Sequence, residues 1–162
     1  EQILYLAKAG DFLGYSALLG EENYTSSAMI IEDAKICFIP REAFLGSMMK
    51  NAEFFKRITK QLCHELGVME EKLTDASQKS IRERLALLLL QLANTYGVDG
   101  GGYQRINLLL TREELAGMVG TATESVIRLL SEFKKDGLIE LEGKKILLKD
   151  KKGLARLSDF YA

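Results

Sequence analysis

The stretch from Leu110 to Leu148 decides the fold; it reads LTREELAGMVGTATESVIRLLSEFKKDGLIELEGKKILL. Thr111 places a hydroxyl group where a helix N-cap is needed, and Glu114 follows three positions later. This is the spacing of a capping box, in which side chain and backbone satisfy each other's hydrogen bonds at a helix start. We therefore expect a short helix from Thr111 to about Met118.

Three residues predict how a second helix crosses this one. Ala116 is small at a point of close approach, Gly120 suits a turn that needs positive φ, and Val126 falls on the inner face of the second helix. From about Thr123 the apolar residues recur at helical spacing, at Val126, Leu129, Leu130 and Phe133. The opposite face carries Thr123, Glu124, Ile127 and Arg128, and a face of this kind can enter a DNA major groove.

A hairpin follows the second helix. Asp136 and Gly137 stop the helix, and two apolar runs, Leu138–Leu141 and Lys145–Leu148, flank the turn residues 142–144. The order of helix, turn, helix and hairpin predicts a winged helix-turn-helix, a DNA-reading unit. An amphipathic helix pair with a hairpin can also be architecture alone, and that alternative stays open.

The whole chain has the composition of an ordinary globular protein. It holds 162 residues, 47% of them hydrophobic, with 14 Gly and 1 Pro, which is enough to build one or two cores. The apolar run Leu85–Leu92 is too short to span a membrane, and no basic region with an apolar core follows Glu1, so we expect a cytoplasmic protein without a membrane partner. Cys37 and Cys63 lack the spacing of a metal or redox site, and we expect both to be small buried residues.

The formal net charge of −1 is divided unevenly along the chain. Residues 105–162 contain 11 Lys plus Arg against 9 Asp plus Glu, whereas residues 1–104 contain 11 against 14. The two parts therefore carry +2 and −3. A small local excess of positive charge is sufficient for DNA binding when the basic side chains cluster toward the phosphates.

The first forty residues read as β structure. Three runs are rich in strand-forming side chains: residues 3–6, 28–31 and 35–39. A loop punctuated by glycines at residues 10–20 lies between the first run and the second. Pro40 ends the predicted sheet, and residues 41–49 read as a short helix.

A long helix is predicted from about Ala52 to Ala76. Its apolar residues recur three or four apart and include Phe55, Ile58, Leu62, Leu66, Met69 and Leu73. Such a seam favours a partner helix, and a two-fold dimer would present two reading helices to successive DNA half-sites. Packing of the same seam within its own chain stays open as the alternative.

Three further elements connect the long helix to the deciding stretch. Ser80 caps a helix that reaches about Tyr96, a flexible turn is expected at residues 97–102, and a strand is expected at residues 106–110. The apolar residues of this helix, Ile81, Leu85, Leu88, Leu89 and Leu92, are expected to pack into the C-terminal domain.

With this order of elements, the chain resembles a transcription regulator of the cyclic-AMP receptor/FNR superfamily. The resemblance rests on GDFLGYSALL at residues 10–19, SSAMIIEDAKICFIP at residues 26–40 and, most specifically, the stretch from Leu110 to Leu148. It implies an α+β chain that begins partway into its sensor domain. The implied parts are a partial β-roll of the cyclic-nucleotide-binding kind at residues 1–50, a dimerisation helix at residues 51–78 and a winged helix-turn-helix at residues 79–162. The implied partners are double-stranded DNA, a second copy of the chain and RNA polymerase.

The resemblance also assigns roles to the exposed face of the second helix. Glu124 and Arg128 occupy the positions that read G·C pairs in this family, which suits their chemistry, since an arginine fork binds guanine and a carboxylate accepts from the cytosine amino group. Thr123 stands where cyclic-AMP receptor proteins carry an arginine, and Ile127 stands where FNR proteins carry a serine. The resemblance therefore does not predict which outer bases of the half-site are preferred. Ile127 can touch a thymine methyl. The residues that resemble phosphate-positioning ones are Thr111, Arg112, Thr121, Ser125 and Lys144.

The sensor part lacks the charges that cyclic-nucleotide binders of this family use. They place a glutamate and an arginine at the positions of Tyr15 and Tyr24, and a Thr-Ser pair at the position of Met69–Glu70. A buried phosphate without a cation is costly, so we expect no tight binding of cyclic AMP. The effector is unknown. A flatter or more apolar one would use Gly14, Tyr15, Ser16, Tyr24 and Thr25, and the alternative is that these residues only fill the roll.

Neither a cofactor nor an enzyme is indicated by the sequence. His64 beside Cys63 does not make a haem site, and an iron-sulfur cluster needs several cysteines. There is no nucleophile with a base partner, no metal-ligand spacing and no phosphate-binding loop. The competing function is a dimeric sensor whose winged helix mediates protein contacts only. Salt-dependent preference for a palindromic duplex distinguishes a DNA regulator from that alternative.

Overall fold

The computed structural model describes residues 2–99 and 103–158. The chain divides into two compact units. The N-terminal unit comprises Ala7–Glu71, and the C-terminal unit comprises Glu1–Leu6 together with Lys72–Ala162. The combination of helices with an antiparallel sheet confirms the predicted α+β class.

The N-terminal unit is built from helices α1 (Tyr15–Gly20), α2 (Arg41–Lys50) and the larger part of α3 (Ala52–Gln78). Asn51 separates α2 from α3, and its side-chain oxygen accepts hydrogen bonds from the backbone N–H groups of Glu53 and Phe54 at 3.1 and 3.0 Å. This is an N-cap interaction, and it lets α3 begin directly after α2 ends. The core of the unit contains Tyr15, Phe44, Met48 and Ile58.

The three strands predicted before Pro40 are not formed. Residues 3–6, 28–31 and 35–39 do not form strands, and α1 is the only regular element among the described residues before Pro40. A strand needs a ladder of backbone hydrogen bonds and a covered face. Residues 28–31 and 35–39 are largely uncovered, since Met29, Ile36 and Phe38 are 63%, 70% and 86% exposed, and in residues 3–6 the Ile3 N–H donates to the Gly117 carbonyl at 3.1 Å without a strand being formed. The expectation that both cysteines are buried is also wrong, since Cys37 and Cys63 are exposed.

Among its described residues, the C-terminal unit contains the end of α3, four further helices and a four-stranded antiparallel sheet. The helices are α4 (Ile81–Tyr96), α5 (Arg112–Val119), α6 (Thr123–Lys135) and α7 (Lys151–Ser158). The strands are β1 (Gly97–Asp99), β2 (Gln104–Ile106), β3 (Ile139–Glu142) and β4 (Lys145–Leu148), in the order β1-β2-β4-β3. Fully buried side chains from these elements, including Leu85, Leu89, Leu115, Leu130, Phe133 and Ile139, form one core.

Two local predictions in this unit need correction. The strand expected at residues 106–110 lies instead at Gln104–Ile106, where it pairs with both β1 and β4. The flexible turn expected at residues 97–102 begins with β1, and residues 100–102 lie outside the described residues. Sheet pairing explains both shifts, because Gly97 is opposite Ile106 and Gln104 is opposite Leu148.

Candidate nucleic-acid interface

Helix α5 begins and ends as its sequence predicts. The Thr111 side chain accepts a hydrogen bond from the Glu114 N–H at 3.1 Å, and the Glu114 carboxylate accepts one from the Thr111 N–H at 2.6 Å. The helix ends at Gly120, whose φ of 74° is left-handed and whose N–H donates to the Ala116 carbonyl at 2.9 Å. The capping box and the turn glycine are confirmed, and together they set where α6 starts.

Helix α6 has one buried face and one exposed face. Val126, Leu129, Leu130 and Phe133 are at most 4% exposed, as the apolar spacing predicts. Glu124 and Arg128 lie on the exposed side, Ile127 is 49% exposed and Thr123 is half-buried. The N-cap residue is Ala122, which makes no side-chain capping bond. The start of α6 therefore has no side-chain cap, although the Ser125 N–H donates to the Ala122 carbonyl at 3.1 Å. An anion is favoured at such a helix start, and Glu124 interacts favourably with the positive end of the helix dipole.

Arg128 is held on the surface of α6 by an acidic neighbour one turn later. Its Nη1 donates to the Glu132 Oε1 at 2.8 Å, and its side chain is 67% exposed. The contact uses one guanidinium nitrogen, which leaves further N–H donors for another acceptor. The spacing of four residues makes this pair recognisable in the sequence.

The other Glu132 oxygen binds an arginine of α4 that the sequence did not single out. Arg82 donates to the Glu132 Oε2 at 2.8 Å and to Asp136 at 2.7 Å, and its guanidinium carbon lies 4.9 Å from the centroid of the Phe133 ring. Arg82 therefore ties α4 to the second half of α6 through two ion pairs and a cation–π contact. Arg82 and Glu132 are fifty positions apart, so no local pattern connects them.

Two of the candidate phosphate-binding residues already have partners within the protein. The Thr111 hydroxyl donates to Glu114 at 2.9 Å, and the Arg112 Nη2 donates to the Gly143 carbonyl at 3.1 Å. Burial lowers the pKa of the Arg112 guanidinium, but an arginine stays charged at neutral pH. Arg112 thus links the start of α5 to the wing turn. The other candidates differ in exposure: Thr121 and Ser125 are half-buried, and Lys144 is exposed.

The wing is the hairpin of β3 and β4. Glu142 pairs with Lys145, and Gly143 takes a φ of 61° in the turn between the strands. At the base of the wing, Lys134 of α6 lies 2.6 Å from the Glu140 carboxylate. This hydrogen bond holds the pKa of the Glu140 carboxyl below its ordinary value. The predicted hairpin is confirmed.

The apolar seam of α3 is divided between its own chain and solvent. Ile58 is 2% exposed in the core of the N-terminal unit, and Leu62 packs against that core. Ile58 is therefore not available to a partner helix. Phe55, Leu66 and Leu73 are 53%, 62% and 74% exposed, and Met69 is half-buried. At about 100° per residue these four lie on one face of α3.

The candidate effector residues differ widely in exposure. Tyr15 is 5% exposed and packs edge-on to Phe12, with a centroid distance of 6.3 Å, so it is a core residue. Tyr24 is 72% exposed, and its ring lies where a side chain on Gly14 would be, 2.8 Å from an added Cβ. Ser16 and Thr25 are exposed. Of these residues, Tyr15 cannot be reached by a ligand without opening the core.

Two kinds of feature are absent from the described residues. No cluster of three or more His, Cys, Asp or Glu side chains is placed to hold a metal ion. None of the helices in residues 2–99 and 103–158 combines the length and the apolar character that crossing a lipid bilayer requires.

Two family models match the chain. The Crp-like helix-turn-helix domain matches residues 83–157, and the cyclic nucleotide-binding domain matches residues 1–51. The first match contains α5, α6 and the wing. The second covers the part in which the predicted strands are not formed, and it supports the interpretation of that part as a partial cyclic-nucleotide-binding-like domain.

Named relatives are similar over nearly the whole chain. A CRP-like cAMP-activated global transcriptional regulator of Mycobacterium tuberculosis is 31% identical over 156 residues, which are 96% of this chain and 70% of the relative. The fumarate and nitrate reduction regulatory protein of Escherichia coli K12 is 27% identical over 158 residues, 98% of this chain and 63% of the relative. The chain thus spans between about 60% and 70% of the curated relatives it matches.

Two solved structures are similar in fold to this chain. A CooA mutant from Carboxydothermus hydrogenoformans has a TM-score of 0.66 at 30% identity, over 72% of this chain and 54% of that one. A transcriptional regulator of the CRP/FNR family from Thermus thermophilus has a TM-score of 0.63 at 27% identity, over 67% of this chain and 56% of that one.

Proposed function

The chain belongs to the Crp/Fnr family of transcription regulators, and we propose that it binds a palindromic operator as a homodimer, with α6 reading the bases of each half-site. The observation that carries the proposal is the exposed face of α6. Glu124, Ile127 and Arg128 point away from a core face that is almost completely buried, so they are both accessible and rigidly supported.

The chemistry of this face supports base recognition. The Arg128 guanidinium can offer two parallel N–H donors to the O6 and N7 atoms of guanine, and the Glu124 carboxylate can accept from the cytosine amino group. Ile127 is an exposed aliphatic side chain between them, which suits a thymine methyl. We assign Thr123 to the outer edge of the same face.

Phosphate contacts fix the orientation on DNA without reading sequence. We propose the uncapped amides at the start of α6, Ser125, Thr121 and Lys144 of the wing for this task. Thr111 and Arg112 already have partners within the protein. We propose that they contact DNA phosphates in addition to these partners, since Arg112 retains N–H donors beside its bond to Gly143.

The proposed dimer interface is the exposed face of α3. Phe55, Leu66 and Leu73 are large apolar side chains more than half exposed, on a helix of 27 residues. Two such faces packed together would remove them from water and supply the two-fold axis that a palindrome requires. When bound near a promoter, such a dimer would have RNA polymerase as a further partner.

We propose that the input to the N-terminal unit is not cyclic AMP, although a relative is cAMP-activated by name. Tyr15 and Tyr24 provide no charge for a ribose or a cyclic phosphate, and a phosphate buried without a cation is costly. An effector that shifts the long helices would change the spacing of the two α6 helices and so the operator affinity. Calorimetric titration with cyclic AMP at micromolar concentration should give no binding heat.

The decisive experiment is selection of bound duplexes from a random or genomic pool, followed by affinity measurement on the selected site. We expect an inverted repeat with preserved G·C positions, and the Arg128→Ala variant should lose about 1–3 kcal/mol per half-site. Arg156→Ala is the matched control, because Arg156 is an exposed arginine of α7 in the same unit. Equal binding of selected and scrambled duplexes at every salt concentration would refute sequence-specific regulation.

A further inference from the structure

The carboxylate of Glu132 lies between two arginines that have different surroundings. Oε1 accepts from Arg128 on the exposed face of α6, and Oε2 accepts from Arg82 of α4, each at 2.8 Å. The exposed fraction of the side chain decreases from 67% for Arg128 through 39% for Glu132 to 33% for Arg82. An exposed side chain of α6 is thus connected through one carboxylate to Arg82, which lies over the buried Phe133 ring.

Arg82 is well placed to fix that carboxylate. Its second Nη group binds Asp136 at 2.7 Å, and its guanidinium lies over the buried Phe133 ring. Three contacts restrain Arg82, so the Glu132 oxygen that it binds is restrained as well. The charge of Glu132 is also neutralised from the side of α4, which reduces its repulsion of DNA phosphates.

An arginine binds a guanine more tightly when its guanidinium is already oriented toward the base before binding. A free arginine side chain loses considerable rotamer entropy when it is fixed on a base. The Glu132 contact occupies only one Arg128 nitrogen, so the guanidinium can hold this carboxylate and a guanine edge together. The ion pair therefore does not have to break when the base is bound.

We propose that Glu132, held by Arg82, is a positioning residue that orients the Arg128 fork for guanine and thereby sets specificity at that base pair. The inference rests on the proposed function, since it presupposes that Arg128 reads a base. It assigns a role to Glu132 and Arg82, neither of which is on the base-reading face.

The substitution Glu132→Gln tests the shared carboxylate. Glutamine has nearly the same shape but only one acceptor oxygen, and its NH₂ group cannot accept from an arginine, so it cannot reproduce both the Oε1 contact with Arg128 and the Oε2 contact with Arg82. The matched control is Glu140→Gln, which removes the same charge in the same unit from a carboxylate whose partners are Lys134 and Lys149.

The measured quantity is the discrimination ratio: the Kd for the selected operator with one guanine replaced by 7-deazaguanine, divided by the Kd for the unmodified operator. 7-Deazaguanine lacks the N7 acceptor, so the ratio reports on the arginine fork alone. The guanine that Arg128 contacts is the one at which Arg128→Ala brings the ratio to about one. A merely structural role of Glu132 would weaken binding to both duplexes and leave the ratio unchanged.

We expect Glu132→Gln to lower this ratio by roughly twofold to fivefold, the size of an exposed ion-pair effect. Arg82→Lys should lower it in the same direction, and Glu140→Gln should leave it unchanged. The double variant Glu132→Gln/Arg128→Ala should match Arg128→Ala alone, because the effect passes through Arg128. Urea denaturation of each variant checks that the unit is folded.

Other outcomes overturn the proposal in distinguishable ways. An unchanged ratio for Glu132→Gln refutes the positioning role, and a raised ratio means that Glu132 competes with guanine for Arg128. If Glu132→Gln lowers the discrimination ratio but Arg82→Lys does not, the proposed role of Arg82 in holding Glu132 is refuted. If the unaltered protein selects an operator but Arg128→Ala changes no ratio, the Arg128 assignment fails. If the unaltered protein selects no operator, the proposed function itself fails.

Discussion

Replacement of Gly120 by alanine isolates the energetic contribution of the turn between α5 and α6. Gly120 has a φ of 74° and a ψ of 53°, a left-handed conformation that costs an L-residue with a side chain roughly 1–2 kcal/mol. Nothing lies within 4 Å of a Cβ added at this position, so no steric term accompanies the backbone strain. Alanine also stiffens the unfolded chain, which offsets about 0.4–1 kcal/mol. We therefore expect Gly120→Ala to destabilise the C-terminal unit by about 1 kcal/mol.

The assay is urea denaturation followed by circular dichroism, with Gly120→Asn as the matched control. Asparagine tolerates the left-handed region better than alanine, although it is larger. Backbone strain therefore predicts that the alanine variant is the less stable of the two, whereas steric crowding predicts the reverse. The reasoning is refuted if alanine costs nothing, or if asparagine costs more than alanine.

Two further predictions concern the stability of the same unit. Phe133→Ala should lower the free energy of unfolding by about 3–5 kcal/mol, because Phe133 is 0% exposed in the core. Ile127→Ala, on the exposed face of α6, should change it by less than about 0.5 kcal/mol. Similar losses for the two variants would contradict the observed orientation of α6. Hydrogen bonds from Ser80 hold the pKa of the Glu83 carboxyl below its ordinary value of 4.5, so their contribution is present above that pH and lost as the pH falls through the lower folded-state pKa. The unfolding midpoint of Glu83→Gln should consequently depend less on pH below about 4.5 than that of the unaltered protein, and parallel pH profiles would contradict this.

The features that the sequence predicts well are those that depend on near neighbours. The capping box joins residues three apart, the Gly120 turn depends on one backbone conformation, and the wing joins strands separated by two residues. Each is complete within a few positions of the chain, so its signal survives without knowledge of the tertiary fold. The buried face of α6 follows for the same reason from helical periodicity.

The predictions that failed depend on partners that a local pattern does not identify. The strands predicted at residues 28–31 and 35–39 have the right composition, but composition does not supply a hydrogen-bonded neighbour. Ile58 fits the α3 seam by spacing, yet its position about 60° from Phe55 on the helix turns it toward α1 and α2. The Arg82 contact with Glu132, which no sequence pattern predicts, joins residues fifty positions apart.

The way in which α6 is held also limits how an effector can act in the proposed mechanism. Its inner face packs into the core through Val126, Leu130 and Phe133, and its outer edge is tied to α4 through Arg82. The turn before it is fixed by Gly120, and the wing is braced by Arg112. Reshaping the reading surface would break several of these interactions at once, whereas moving the unit as a whole breaks none of them. An input should therefore change the spacing of two intact winged helices, and should alter operator affinity without altering which bases Arg128 and Glu124 prefer.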